Sequence, residues 1–159
     1  MRTSDDLGRE LTCHDDGMGA EPGRPRPRDV RVLGAIALGG ALGATARYAV
    51  AEVVGRDPDR FPWATFGTNV TGAFALGAVL VVLLRRYPPH RYLLPFVATG
   101  VLGSFTTFST FAVETNDLLD HGQAGLAVGY VAATVVAGLL AAATGIAVGR
   151  RTRWGAPGA

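Results

Sequence analysis

Gly100-Val-Leu-Gly-Ser-Phe-Thr-Thr-Phe-Ser-Thr-Phe-Ala-Val-Glu114 is a polar, glycine-broken segment inside a run that otherwise reads as a membrane span. A chain crossing hydrocarbon must satisfy its backbone N–H and C=O groups internally, so Gly, Ser and Thr at mid-depth free groups that need a partner. Such partners are a cavity, an ion or another subunit. Gly100 and Gly103 loosen the helix, and Thr106 and Thr107 are β-branched weak helix formers whose hydroxyls compete for carbonyls. The pattern predicts a helix break near Gly103 to Thr107. Beyond it, three-residue spacing puts Phe108 and Phe111 on one face and Thr107, Thr110 and Glu114 on a polar face beside it.

Outward from this stretch the chain reads as a polytopic, all-α membrane protein. Hydrophobic residues make up 48% of its 159 residues, and charge is concentrated at the ends and in short loops. That leaves long stretches almost free of charge, each long enough to cross a core of ~30 Å at ~1.5 Å per residue. The expected spans are 32–54, 63–84, 93–119 and 126–148. They make up a membrane domain over 30–149, flanked by a disordered polar tail over 1–29 and a short basic tail over 150–159. The N-terminal tail has no apolar middle region and so is not a signal peptide. Its Cys13-His14-Asp15 reads as solvated side chains, and one cysteine supports neither a disulfide framework nor a cysteine-based zinc site. All fifteen basic residues are Arg, a composition bias, and the net charge of +2 carries no nucleic-acid signal.

In the first span Ala35, Gly39, Gly43 and Arg47 recur every four residues. Small residues at that spacing let helices approach closely. Gly39, Gly40 and Gly43 lack the strand and glycine spacing of a dinucleotide fingerprint. Arg47 sits about two turns inside the span and reads as an anchor or anion attractor facing a water-filled vestibule; the alternative is a side chain that snorkels to the interface. Trp63 marks an interface and opens the second span, where Thr65, Thr68, Asn69 and Thr71 occupy the first half. Asn69 is either an interhelical clamp or a pore donor, because a bare carboxamide in lipid is costly. The fourth span carries Gly129, Gly138 and Gly145, with Tyr130 and Thr134 as its clear polar side chains.

Four spans put both termini and the Arg85 to Arg91 loop on one side. That side carries Arg24, Arg26, Arg28 and Arg31, then Arg85, Arg86 and Arg91, then Arg150, Arg151 and Arg153, against Arg56 and Arg60 opposite. The positive-inside rule makes that side cytoplasmic.

Three motifs in chain order carry a resemblance: Gly39-Gly-Ala-Leu-Gly-Ala-Thr-Ala-Arg-Tyr48, Pro62 followed by Asn69-Val-Thr-Gly-Ala-Phe74, and Gly103-Ser-Phe-Thr-Thr-Phe-Ser-Thr-Phe111. Over about 32–149 the chain resembles the Fluc/CrcB family of bacterial fluoride channels. The resemblance implies a multi-pass protein of the bacterial inner membrane, an antiparallel dimer of four-helix subunits in lipid, and two fluoride pores along the subunit boundaries. It also implies a structural sodium ion at the dimer centre, held by the backbone carbonyls of Gly103 and Thr106. The pore phenylalanines correspond to Phe108 and Phe111, the pore asparagine to Asn69, the hydroxyl track to Ser109 and Thr110, and polar fourth-span positions to Tyr130 and Thr134. Arg47 matches the first-span arginine. The usual Gly-Thr after the second-span proline is Ala64-Thr65 here, and the second glycine at the break is Ser104.

Physical chemistry agrees with that assignment. Fluoride is strongly hydrated, so a channel must replace its water with neutral donors that can release it again, and the edge of a phenyl ring is electropositive. Glu114 reads equally as a solvated bystander or as a gate that accepts a proton or hydroxyl bond. A strong arginine bias conflicts with dual insertion, so besides a homodimer the chain predicts a heterodimer with an oppositely oriented homologue. Two other classes compete. A small four-span multidrug exporter wants a membrane-embedded carboxylate, and the first span has only Glu52 near its end. A non-transporting membrane subunit would tolerate replacement of Asn69 and Phe108. No nucleophile and base pair, metal cluster or cofactor loop suggests an enzyme.

Overall fold

The computed structural model describes residues 27–55, 57, 60–86 and 91–151. The tail up to residue 26 with its Cys13-His14-Asp15, residues 87–90 of the basic loop, and Arg153 and Trp154 lie outside the described residues. The chain runs α1 (Pro27–Val54), α2 (Trp63–Arg86), a π-helical segment (Pro95–Leu102), α3 (Gly103–Phe105), α4 (Phe108–Asp120) and α5 (Ala124–Arg151). The π segment, α3 and α4 together form the third crossing, so among the described residues four helical stretches are long and apolar enough to span a membrane.

α1 starts at Pro27, inside the stretch expected to be disordered. Proline at the first helical position loses no hydrogen bond, and Asp29 in the first turn suits the positive end of the helix dipole. At the other end α5 runs on to Arg151 because Arg150 and Arg151 suit the negative end.

The third crossing breaks where the glycines and threonines foretell. Thr106 (φ −78, ψ 154) and Thr107 (φ −147, ψ 123) are extended, and α4 restarts at Phe108. The preceding π-helical turns are not legible in the sequence. There the Gly103 N–H reaches the carbonyls of Ala98 and Gly100, and Pro95, Gly100 and Gly103 together weaken the preference for the tighter α ladder.

Two seams of small residues hold the bundle. α1 lies along the π segment and α2 along α5. A Cβ on Gly43 would run into the Val101 carbonyl oxygen and come within 3.1 Å of the Phe105 nitrogen, so that stripe is a backbone-to-backbone contact. In α5 only part of the expected set packs this way: Gly145 abuts the Phe74 carbonyl, whereas Gly129 and Gly138 face open space.

A small core of Leu118, Ala127 and Tyr130, with Phe61, Phe66, Phe111 and Leu126 packed on it, closes the bundle at the end away from the termini. Leu38, Leu42, Val53, Leu139 and Leu140 are exposed, as suits helices whose surroundings are hydrocarbon or a partner.

Candidate functional site

The break gathers side chains from three helices. From α1, Arg47 donates through Nε to the Ser104 carbonyl at 3.1 Å, so the guanidinium that continues the small-residue stripe is anchored on the break. From α2, Asn69 donates through Nδ2 to the Thr107 carbonyl (3.0 Å) and accepts through Oδ1 from the Thr107 N–H (2.8 Å). Sequence spacing left a clamp and a pore donor open for Asn69, and the clamp is present. Thr107 itself caps α4: its Oγ1 accepts from the Thr110 N–H at 3.2 Å and lies 3.1 Å from the Thr110 hydroxyl and 3.2 Å from that of Ser109. The hydroxyls of Thr107, Ser109 and Thr110 thus form a connected cluster.

Phe108 and Phe111 stand side by side with ring centroids 5.9 Å apart. Phe108 is 80% exposed, a large apolar ring uncovered by the rest of the chain. Phe111 packs on Tyr130 at 5.1 Å, and Tyr130 meets Phe61 edge to face at 5.3 Å. Phe61 in turn contacts Phe66 and Trp63. A chain of aromatic rings therefore leads from the break to the end of the bundle.

Glu114 is built into this end rather than dangling from it. Its Oε1 accepts from the Thr65 hydroxyl at 2.8 Å and its Oε2 from the Tyr130 hydroxyl at 2.9 Å. Both donors belong to buried residues, so each carboxyl oxygen of Glu114 has a directed hydrogen bond. A cleft of about 470 Å³ opens beside it, with Phe61, Trp63, Thr110, Val113, Glu114 and Asp117 in its walls. Deeper in α5, the buried Thr134 Oγ1 has no hydrogen-bond partner among the described residues, an unusual state for a hydroxyl away from water.

Four residues at the site were not singled out in the sequence as functional partners: Thr65, Thr107, Phe61 and Ser104. Each acts on a residue more than thirty positions away, and periodicity reports only neighbours on one helix.

The carbonyls of Ser104 and Thr107 are taken by Arg47 and Asn69, whereas no side chain engages those of Gly103 or Thr106 among the described residues. Neutral carbonyl oxygens freed by a helix break are suitable donors for a hard monovalent cation, so the donor set fits sodium.

The family model described as CrcB-like protein, Camphor Resistance (CrcB), matches residues 34–146. The chain belongs to the CrcB family. It is 50% identical over 119 residues to a protein of Streptomyces avermitilis named fluoride-specific ion channel FluC 3, covering 75% of this chain and 58% of that one. It is 44% identical over 129 residues to fluoride-specific ion channel FluC 2 of Nocardia farcinica, covering 81% of this chain and 92% of that relative. A third, fluoride-specific ion channel FluC 1 of Mycobacterium bovis, is 45% identical over 125 residues, 79% of this chain and 95% of its own. The matched residues take in the break, the α1 stripe and Glu114 with its two donors, and the three relatives are named as ion channels, not enzymes.

Proposed function

We propose that this chain is a fluoride-specific channel that lets fluoride leave the cytoplasm passively. The reading is supported by the names of its relatives and carried by one observation: Phe108, four-fifths exposed, stands beside the hydroxyls of Thr107, Ser109 and Thr110 at a helix break. An anion passing this face meets electropositive ring edges and neutral O–H donors, which together replace water without a fixed cation to trap the ion.

The pore runs along the boundary of an antiparallel dimer. Asn69 sits at its head, Phe108 and Phe111 provide the ring edges, Ser109 and Thr110 the hydroxyls, and Thr134 a further donor whose hydroxyl is otherwise unmatched. Tyr130 enters through its ring and through its bond to Glu114. Arg47 faces the vestibule while holding the break. The carbonyls of Gly103 and Thr106 would hold a sodium ion at the dimer centre, where it would neutralise carbonyl charge and tie the subunits together.

Glu114 belongs to this machinery. Glu114→Gln replaces a carboxyl whose two oxygens both accept with an amide that can accept from only one of the two donors, and a buried hydroxyl left without its acceptor costs about 1–3 kcal/mol. Fluoride efflux should fall about tenfold or more with the dimer intact on size exclusion. Unchanged efflux would make Glu114 a bystander.

The direct test is fluoride efflux from liposomes read with an electrode, against chloride as control. The distribution of arginines favours a second component: the described cytoplasmic end carries Arg31, Arg85, Arg91, Arg150 and Arg151, and the other end Arg60. A chain so biased inserts one way, with both termini inside, and its antiparallel partner is then a homologue of opposite bias. Fluoride-selective efflux with this chain alone would establish a homodimeric channel and overturn the heterodimer. Efflux only with the homologue would support both readings, and none in either case would overturn the channel.

A further inference from the structure

Asn69 makes an uncommon pair of bonds. Its Oδ1 and Nδ2 do not serve two separate groups but the N–H and C=O of one residue, Thr107, at 2.8 and 3.0 Å. A carboxamide presents an acceptor and a donor side by side, as a peptide edge does, so it pairs with an extended residue much as a neighbouring strand would. Thr107 has that extended conformation. In an unbroken helix its N–H would bond to the carbonyl of residue 103, and its own carbonyl to the N–H of residue 111. The side chain of α2 replaces the helical partner of the Thr107 N–H and adds a second donor to a carbonyl that, at an N-cap, already accepts the first bond of α4.

Other contacts fix the same spot. One turn on from Asn69, Gly72 gives the break room: a Cβ there would collide with Thr106 Cγ2 and lie 3.3 Å from Phe105 Cδ1. From the opposite side Arg47 holds the Ser104 carbonyl. Thr107 is also the N-cap of α4, so whatever fixes its backbone fixes the direction in which Phe108 and Phe111 leave the break.

We propose that Asn69 is the positioning residue of the break, acting on permeation through the backbone of Thr107 rather than as a ligand of the passing ion. The role explains the residue type. Aspartate has the same shape but turns a second acceptor toward the Thr107 carbonyl, and serine is too short to meet both groups. Only a carboxamide on this stem completes the pair. The assignment rests on the channel reading for its flux arm alone.

The experiment is hydrogen–deuterium exchange on the purified full chain, comparing the native protein with Asn69→Asp and Asn69→Ser and following peptides that span 104–110 and 124–149. In the native protein the Thr107 amide should exchange slowly. In Asn69→Ser, which withdraws the acceptor, it should exchange at least about tenfold faster, whereas Asn69→Asp keeps an acceptor for the N–H and should accelerate it less, while 124–149 is unchanged in both. In liposomes the maximal fluoride flux should fall with the half-saturating fluoride concentration unaltered. Unchanged exchange at 104–110 together with a raised half-saturating concentration would make Asn69 a direct ligand and overturn the proposal. Should neither variant fold, fast exchange of Thr107 in the native protein overturns it equally, and slow exchange there upholds the bond on which it stands. Absence of fluoride flux in the native protein would remove the channel reading while leaving the exchange result to decide the clamp.

Discussion

Gly145→Val should separate α2 from α5 and cost about 3 kcal/mol or more of stability. A Cβ at residue 145 would overlap the Phe74 carbonyl oxygen and sit 3.0 Å from both the Phe74 carbonyl carbon and the Ala78 nitrogen. These are backbone atoms of a helix, which cannot swing aside as the tip of a side chain can. The helices must therefore move apart, and contact along the seam is lost with them, since dispersion and close backbone approach, not water, hold membrane helices together. The measurement is the denaturant midpoint of the purified protein in detergent, with Gly138→Val as the matched control. Gly138 lies on the same helix with nothing within 4 Å of its would-be Cβ, and its replacement should stay within about 0.5 kcal/mol of the native value. Equal midpoints for the two variants would show that the α2–α5 seam does not depend on that approach.

Phe108→Leu should abolish most fluoride efflux without touching the fold. The ring is 80% exposed, so leucine leaves no cavity in the chain and keeps the surface apolar. What disappears is the electropositive ring edge, an interaction of the order of 1 kcal/mol or somewhat more per contact in aromatic pairs, and of the order of a tenfold change in rate. Efflux from liposomes and elution volume on size exclusion separate the two effects. A variant that elutes as the native protein does and conducts at least about tenfold less places the ring in the pathway. Full efflux would move the pathway elsewhere, and loss of the native elution profile would show that the ring serves assembly instead.

The two residues whose roles the sequence left undecided show where local reading stops. Glu114 could be placed on the Thr107 and Thr110 face from spacing alone, and that placement agrees with the cleft that Thr110 and Glu114 share. Its two donors, Thr65 and Tyr130, lie on other helices, forty-nine and sixteen positions away. Nothing in the order of residues says that these helices meet there. Asn69 was legible as a polar group that must be paired in lipid, yet its partner is a backbone that only becomes available because the third crossing breaks at Thr107. The π-helical segment had no signal at all, since its wider turns follow from backbone adjustment around Pro95 and the glycines and not from any periodic pattern.

Hydropathy, arginine placement and the four-residue glycine stripe are properties of the chain itself, and they determined the four crossings, the packing face of α1, the broken third helix and the family motifs. Each arises from residues within a turn or a span of one another, where the bilayer and helix geometry leave little choice. The tertiary structure decided the partners: which α5 glycines pack, that Arg47 and Asn69 hold the break from two sides, that Glu114 is bound by Thr65 and Tyr130, and that Phe108 is left uncovered. Those outcomes depend on the distance and rotation between helices, which are set by all the contacts of the bundle at once and are written at no single position in the sequence.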